Sequence, residues 1–157
     1  MNITRFEEIE AWKKSRRLTR EIYEITATGK FGRDFGLSDQ IRRPAVPVMS
    51  NIAEGFDRDG NKEFIQFLSV AKGSTSKVKS QLCVALDAGL IIQEEFNRLS
   101  GLAEETARLI GGFIRYLKQS ALRGRKTRNS PGRNAQPGTR NQQLGTRNPE
   151  PGTQNKQ

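Results

Sequence analysis

Apolar and small residues recur at alternating spacings of four and three along four stretches of the chain, the period that buries one stripe of an α-helix. The first stretch, from about Thr4 to Thr28, carries Ala11, Ser15, Leu18, Ile22 and Ile25 on one face, and Gly29 and Gly32 end it. The second is expected to start after Ser38, a residue type that caps helix N-termini, with Ile41, Ala45, Val48, Ile52 and Phe56 as its stripe. The third opens near Asn61 after the Asp59-Gly60 turn and carries Phe64, Leu68, Ala71, Thr75, Val78, Leu82 and Ala85, with Gly89 as its stop. The fourth shows Phe96, Leu99, Ala103, Thr106, Ile110, Phe113 and Leu117. Nothing alternates with the two-residue period of a strand. Four amphipathic helices on short connections predict an all-α fold, an antiparallel up-down-up-down four-helix bundle over residues 1–120.

Residues 121–157 read differently. Prolines, glycines, asparagines and glutamines replace the apolar stripe, and a seven-residue unit repeats as PGTRNQQ, LGTRNPE and PGTQN. The period matches a coiled coil, but the repeats lack apolar seam positions and contain helix breakers. A disordered, basic tail is therefore expected, joined to one folded domain. The tail also explains most of the charge. The formal net charge is +10, yet residues 121–157 hold eight basic residues against one acid, Glu150, which leaves only +3 for residues 1–120.

Composition removes several function classes. There is no histidine and one cysteine, Cys83, so no disulfide can form within the chain and no zinc site or thiol–imidazole pair is expected. Cys83, beside the third stripe, reads as a small hydrophobe at least half buried. Apolar runs such as Ala88 to Ile92 are too short to cross a bilayer, and three glutamates within Met1 to Glu10 speak against a secretory leader. A cytoplasmic protein without metal, cofactor or membrane association is expected.

The stretch NIAEGFDRDG, Asn51 to Gly60, places an amide and a carboxylate on an arc with Arg43, Pro47 and Arg58, away from the second stripe. Catalysis by Glu54 would need a matched acid, base or metal, and the nearby acids, Asp57 and Asp59, fall at the turn. The reading is therefore not an enzyme, and Asn51 and Glu54 are candidates for a contact surface. Interior glycines usually mark close backbone approach, so Gly55 and Gly73 are expected where the second and third helices approach each other or a neighbouring chain, with Gly73 and Ser74 opposite Arg43 to Pro47. Gly111 and Gly112 suggest a crossing helix in the same way. Lys13, Arg16, Arg17 and Arg20 form the best basic stripe of the folded part, with Glu21 and Glu24 spaced to pair with Arg17 and Arg20. Phe6, Ile9 and Trp12, projected onto one continuous helix, fall on or beside that arc, which predicts an exposed apolar cluster suited to a subunit interface.

The run SDQIRRPAVPVMSNIAEGFDRDGNKEFIQFLSVAKGS, with EAWKKSRRLTREIYEI upstream, resembles the four-helix-bundle family of 23S rRNA intervening-sequence proteins, over roughly Phe6 to Ser120. NIAEG followed by FL-x-x-A-x-GS is the combination that carries the likeness. The resemblance implies a small bacterial cytoplasmic bundle assembling into a ring-like homopentamer. A related branch, the accessory variability proteins of retroelements, binds a reverse transcriptase and nucleic acid. The chain departs from the family pattern at Pro44 and Pro47, where members carry Ala and Ser, and at Lys77, where they carry Glu. An interior proline predicts a kink or a later helix start, and Lys77 is expected close to Arg42 and Arg43.

Two readings follow. The chain is a non-enzymatic oligomeric scaffold that binds RNA or DNA through the first helix's basic stripe and the tail arginines, or it is a protein-interaction ring with no nucleic-acid role.

Overall fold

A computed structural model describes residues 3–128, with side chains to residue 122. The chain enters through one 3₁₀ turn, Phe6–Glu8. Five helices follow: α1 (Glu10–Ile25), the short α2 (Gly29–Arg33), α3 (Phe35–Phe56), α4 (Asn61–Asp87) and α5 (Gln93–Arg128). The four long helices form a bundle, and α5 runs on past Ser120 to Arg128. The seven-residue repeats lie outside the described residues.

Helix ends follow local chemistry. The α3 N-terminus is capped by Asp34, whose Oδ1 accepts from the Leu37 amide at 3.0 Å. This corrects the expected start at Ser38, whose hydroxyl instead donates to the Phe31 carbonyl at 2.8 Å from inside the helix. Both residue types make caps, but Asp34 occupies the non-helical position where an oxygen can reach a free amide. At the other end of α4, Gly89 adopts a left-handed φ of 65°. Its amide donates to Leu86 O and that of Leu90 to Ala85 O, closing the helix with the double bond pattern that a left-handed glycine permits.

Cross-contacts show how the helices neighbour one another. Between α1 and α5, Lys14 pairs with Glu105 at 2.9 Å, and Glu21 pairs with Arg98. Between α4 and α5, Asn61 Nδ2 donates to Ser120 Oγ at 3.1 Å and Lys79 Nζ to Glu104 Oε1 at 2.5 Å. Thr19 Oγ1 donates to Ala45 O at 3.0 Å between α1 and α3. Within each of the first two pairs, residues further along one helix meet residues earlier in the other, so the two helices run in opposite directions.

The predicted stripes fill the interior. At one end Leu18, Ile22, Ile41, Leu82 and Leu99 pack together, and Phe31 of α2 plugs that end at 1% exposure. At the other end Trp12, Val48, Ile52, Leu68 and Ile110 form a second cluster. Ser15, Thr75 and Thr106 sit in the stripes without penalty, because each hydroxyl donates to a carbonyl three or four residues back.

The α3 helix is continuous through Pro44 and Pro47, so it neither starts after them nor breaks at them. Each proline withholds one amide from the carbonyl four residues earlier. Those carbonyls belong to the exposed residues Gln40 and Arg43, where water can take the missing donor's place.

Candidate functional site

The face shared by α3 and α4 gathers much of the motif. Gln40, Arg43, Pro44 and Pro47 of α3 line an open groove of about 460 Å³ with Val70, Ser74, Lys77 and Gln81 of α4. The expected juxtaposition of Ser74 with Arg43 and Pro47 is therefore present. Lys77 shares the groove with Arg43, whose own partner is Asp39 at 2.7 Å. Arg42 does not join them. It turns toward α1, donating to Thr26 Oγ1 at 2.7 Å and Thr26 O at 2.9 Å, with its guanidinium 4.8 Å from the Tyr23 ring centroid. Adjacent helical residues point about 100° apart, so Arg42 and Arg43 serve different faces.

Asn51 and Glu54 are engaged locally. Asn51 Nδ2 donates to Pro47 O at 2.8 Å, and Glu54 holds Arg58 at 2.6 Å one turn on. That hydrogen bond and charge push the Arg58 guanidinium's pKa up. A carboxylate tied to an arginine on an exposed surface lacks the dry pocket of a general acid.

The two motif glycines behave differently. A Cβ at Gly55 would lie 2.7 Å from both Phe64 Cδ2 and Phe67 Cβ, so α3 and α4 approach closely there. At Gly73 a Cβ would meet nothing within 4 Å, which corrects the expectation of close approach inside the chain. Gly112 likewise meets only its own helix's Arg115.

Phe6, Ile9 and Trp12 do not form an exposed cluster. Ile9 and Trp12 are 4% and 8% exposed, and Phe6 is half-buried with its ring edge-on to Trp12 at 5.1 Å. The 3₁₀ turn breaks the helical register assumed for them and folds the segment back over the core. Cys83, expected to be at least half buried, is exposed.

The basic stripe of α1 is exposed as expected, but acids interleave it. Lys13 pairs with Glu10 at 2.6 Å, Arg17 with Glu21 at 2.9 Å and Arg20 with Glu24 at 3.7 Å, while Arg16 lies 5.7 Å over Trp12. Glu21 is nearly buried and also receives Arg98. Three of the four cations are thus partly neutralised.

A second cationic surface escaped the sequence reading. On the α4–α5 face, Lys72 Nζ and Arg115 Nη1 both lie over Gly111, 3.7 Å and 3.8 Å from where its Cβ would be. Lys62 and Lys118 line one hollow further along, and Lys79 sits at the other end. Hydrogen bonding and charge from Lys79 hold the Glu104 carboxyl below its ordinary value.

Among the described residues, no helix is long and apolar enough to cross a membrane. None of the curated proteins matches the chain. A crystal structure of a protein of unknown function from the S23 ribosomal protein family of Bacteroides thetaiotaomicron is similar, with 20% identity and a TM-score of 0.61 over 66% of this chain and 97% of that one. At that identity the likeness supports the fold alone. Residues 7–112, which include both halves of the NIAEG and GS combination, match the 23S rRNA-intervening sequence proteins, and the chain belongs to that family.

Proposed function

We propose that this protein is a non-enzymatic scaffold that works as a homo-oligomer, its copies joined across the α3–α4 face. The observation that carries this reading is the groove and its apolar margins. Val70 lines the groove at 56% exposure, and Pro44 and Pro47 give it a rigid wall. An exposed apolar side chain beside a proline-walled groove suits an interaction surface. Burying a valine fully is worth about 1.5–3 kcal/mol, so completing the burial of Val70 would contribute roughly half of that.

Charge favours a second copy as the occupant. Arg43 and Lys77 bring two cations to the groove, whereas at the α3–α4 turn the exposed acids Asp57, Asp59 and Glu63 outnumber Lys62, with Arg58 already tied to Glu54. A head-to-tail contact would set the acidic turn of one copy against the groove of the next. Such contacts join unlike patches and generate rings when the rotation closes. The family resemblance makes five copies the expected number.

Light scattering on the full chain tests the proposal. Wild type should give a mass several times 17.6 kDa. Val70→Lys changes an exposed position and adds a third cation beside Arg43 and Lys77, so it should give a folded monomer. A monomeric wild type, or an assembly indifferent to Val70→Lys, overturns it.

A further inference from the structure

We infer that the α4–α5 face is a binding surface for the phosphate backbone of a double-stranded nucleic acid. This face lies on the opposite side of α4 from the assembly surface proposed above.

Five cations line this face: Lys62, Lys72 and Lys79 from α4, and Arg115 and Lys118 from α5. Glu104 is the acid among them, and it is held by Lys79. Among the described residues, Lys62, Lys72, Arg115 and Lys118 make no ion pair. The α1 stripe is the instructive contrast, since three of its four cations are met by Glu10, Glu21 and Glu24.

The centre of the face is the most informative point. Lys72 and Arg115, from different helices, bring their charged heads over one residue, Gly111. Like charges repel, and long exposed side chains are free to part, so a site that keeps two of them together gains most from an anion between them. Gly111 and Gly112, which carry no side chain, let the two heads lie close to the helix surface, and Gly111 is buried beneath them.

Extent and composition favour a nucleic acid over a protein. Lys62 to Lys79 spans about 25 Å of helix, long enough to follow several phosphates. Lysine is depleted in protein–protein interface cores, and the centre of the face, around Lys72, Ser69, Ser76, Gly111 and Gly112, exposes no large apolar side chain, Leu122 being exposed only at its far end beside Lys62 and Lys118. Charge without base-reading groups positions a duplex but does not choose its sequence.

The test is a fluorescence-anisotropy titration of the full chain against a short duplex at about 50 mM and about 200 mM salt. Two doubly reversed variants are compared, Lys72→Glu/Arg115→Glu and Arg16→Glu/Arg17→Glu, which carry the same change in net charge. Each lost phosphate contact lowers the salt slope by about one. The Lys72/Arg115 variant should therefore lose about two units of slope, so that the salt increase weakens wild type about 16-fold more than the variant. The Arg16/Arg17 variant should keep the wild-type slope. Melting curves and masses of both variants, matched to wild type, exclude unfolding or disassembly as the cause. Equal loss in the two variants, no effect from either, absence of wild-type binding, or binding to phosphatidylserine vesicles in place of the duplex overturns the inference.

Discussion

Replacing Gly55 and Gly73 by alanine should move stability in opposite directions. At Gly55 the new methyl would sit 2.7 Å from Phe67 Cβ and 2.7 Å from Phe64 Cδ2. Carbon atoms pack best at about 3.5–4.0 Å, so one partner must retreat by roughly 1 Å. Neither can do so cheaply. Phe67 Cβ is one bond from the α4 backbone, and the buried Phe64 ring is held edge-on between Phe56 and Phe113, at 6.2 Å and 5.2 Å. Overpacking costs about 1–3 kcal/mol, and a fixed neighbour places this case near the top. Alanine's better helix propensity returns about 1 kcal/mol, leaving a net loss of about 2 kcal/mol and a Tm lower by roughly 6 °C. At Gly73 the methyl meets nothing within 4 Å. Gly73→Ala should therefore raise stability by about 0.5–1 kcal/mol in the single chain. Urea and thermal unfolding, followed by far-UV circular dichroism and by the fluorescence of the buried Trp12, measure both. A Gly55→Ala protein as stable as wild type would refute the close approach of α3 and α4.

Further outcomes follow from the same contacts. Pro44→Ala with Pro47→Ser and Lys77→Glu should restore two helical amides and relieve the Arg43–Lys77 proximity. The expected gain is roughly 2 kcal/mol per proline before the lost stiffness of the unfolded chain is counted, and an unchanged Tm would show that water already satisfies Gln40 and Arg43. Arg42→Ala removes two charged hydrogen bonds to Thr26 and the stack on Tyr23, so denaturation should show a loss of about 2 kcal/mol. Arg42→Lys should recover little of it, because an ammonium cannot reproduce the planar fork. Glu104 and Glu105 are both held below the ordinary carboxyl value of 4.5, chiefly by hydrogen bonds from Lys79 and Lys14. A lowered folded-state pKa contributes stability that is present above the unfolded value and lost as pH falls through the folded one. Tm should therefore decline below pH 4.5, less steeply in Glu104→Gln/Glu105→Gln, and identical acid profiles would remove these pairs from the explanation.

The long helices were legible because burial imposes a period, and all seven residues predicted for the α4 stripe are buried. Features that depend on a break in periodicity were not. The segment GKFGRDFG offers one apolar residue between glycines, so Phe31 as a core plug and Asp34 as the cap could not be told from loop. Phe6, Ile9 and Trp12 were misplaced because a helical projection assumes a register that the 3₁₀ turn interrupts. Cys83 fell beside the buried Leu82, where a rotation of about 100° decides between core and solvent. The α4–α5 cations escaped for a different reason. Lys72 and Arg115 are distant in sequence, each in an unremarkable local context, and only the packing of α5 on α4 brings them over one glycine.

Assembly is the central claim, and native mass spectrometry of the full chain over a dilution series tests it most directly. A closed head-to-tail ring should appear as one discrete multiple of 17.6 kDa, five copies on the family resemblance, and should persist as a single stoichiometry until it dissociates. A chain that stays monomeric at every concentration, or an open ladder of sizes, would contradict an α3–α4 contact that closes on itself.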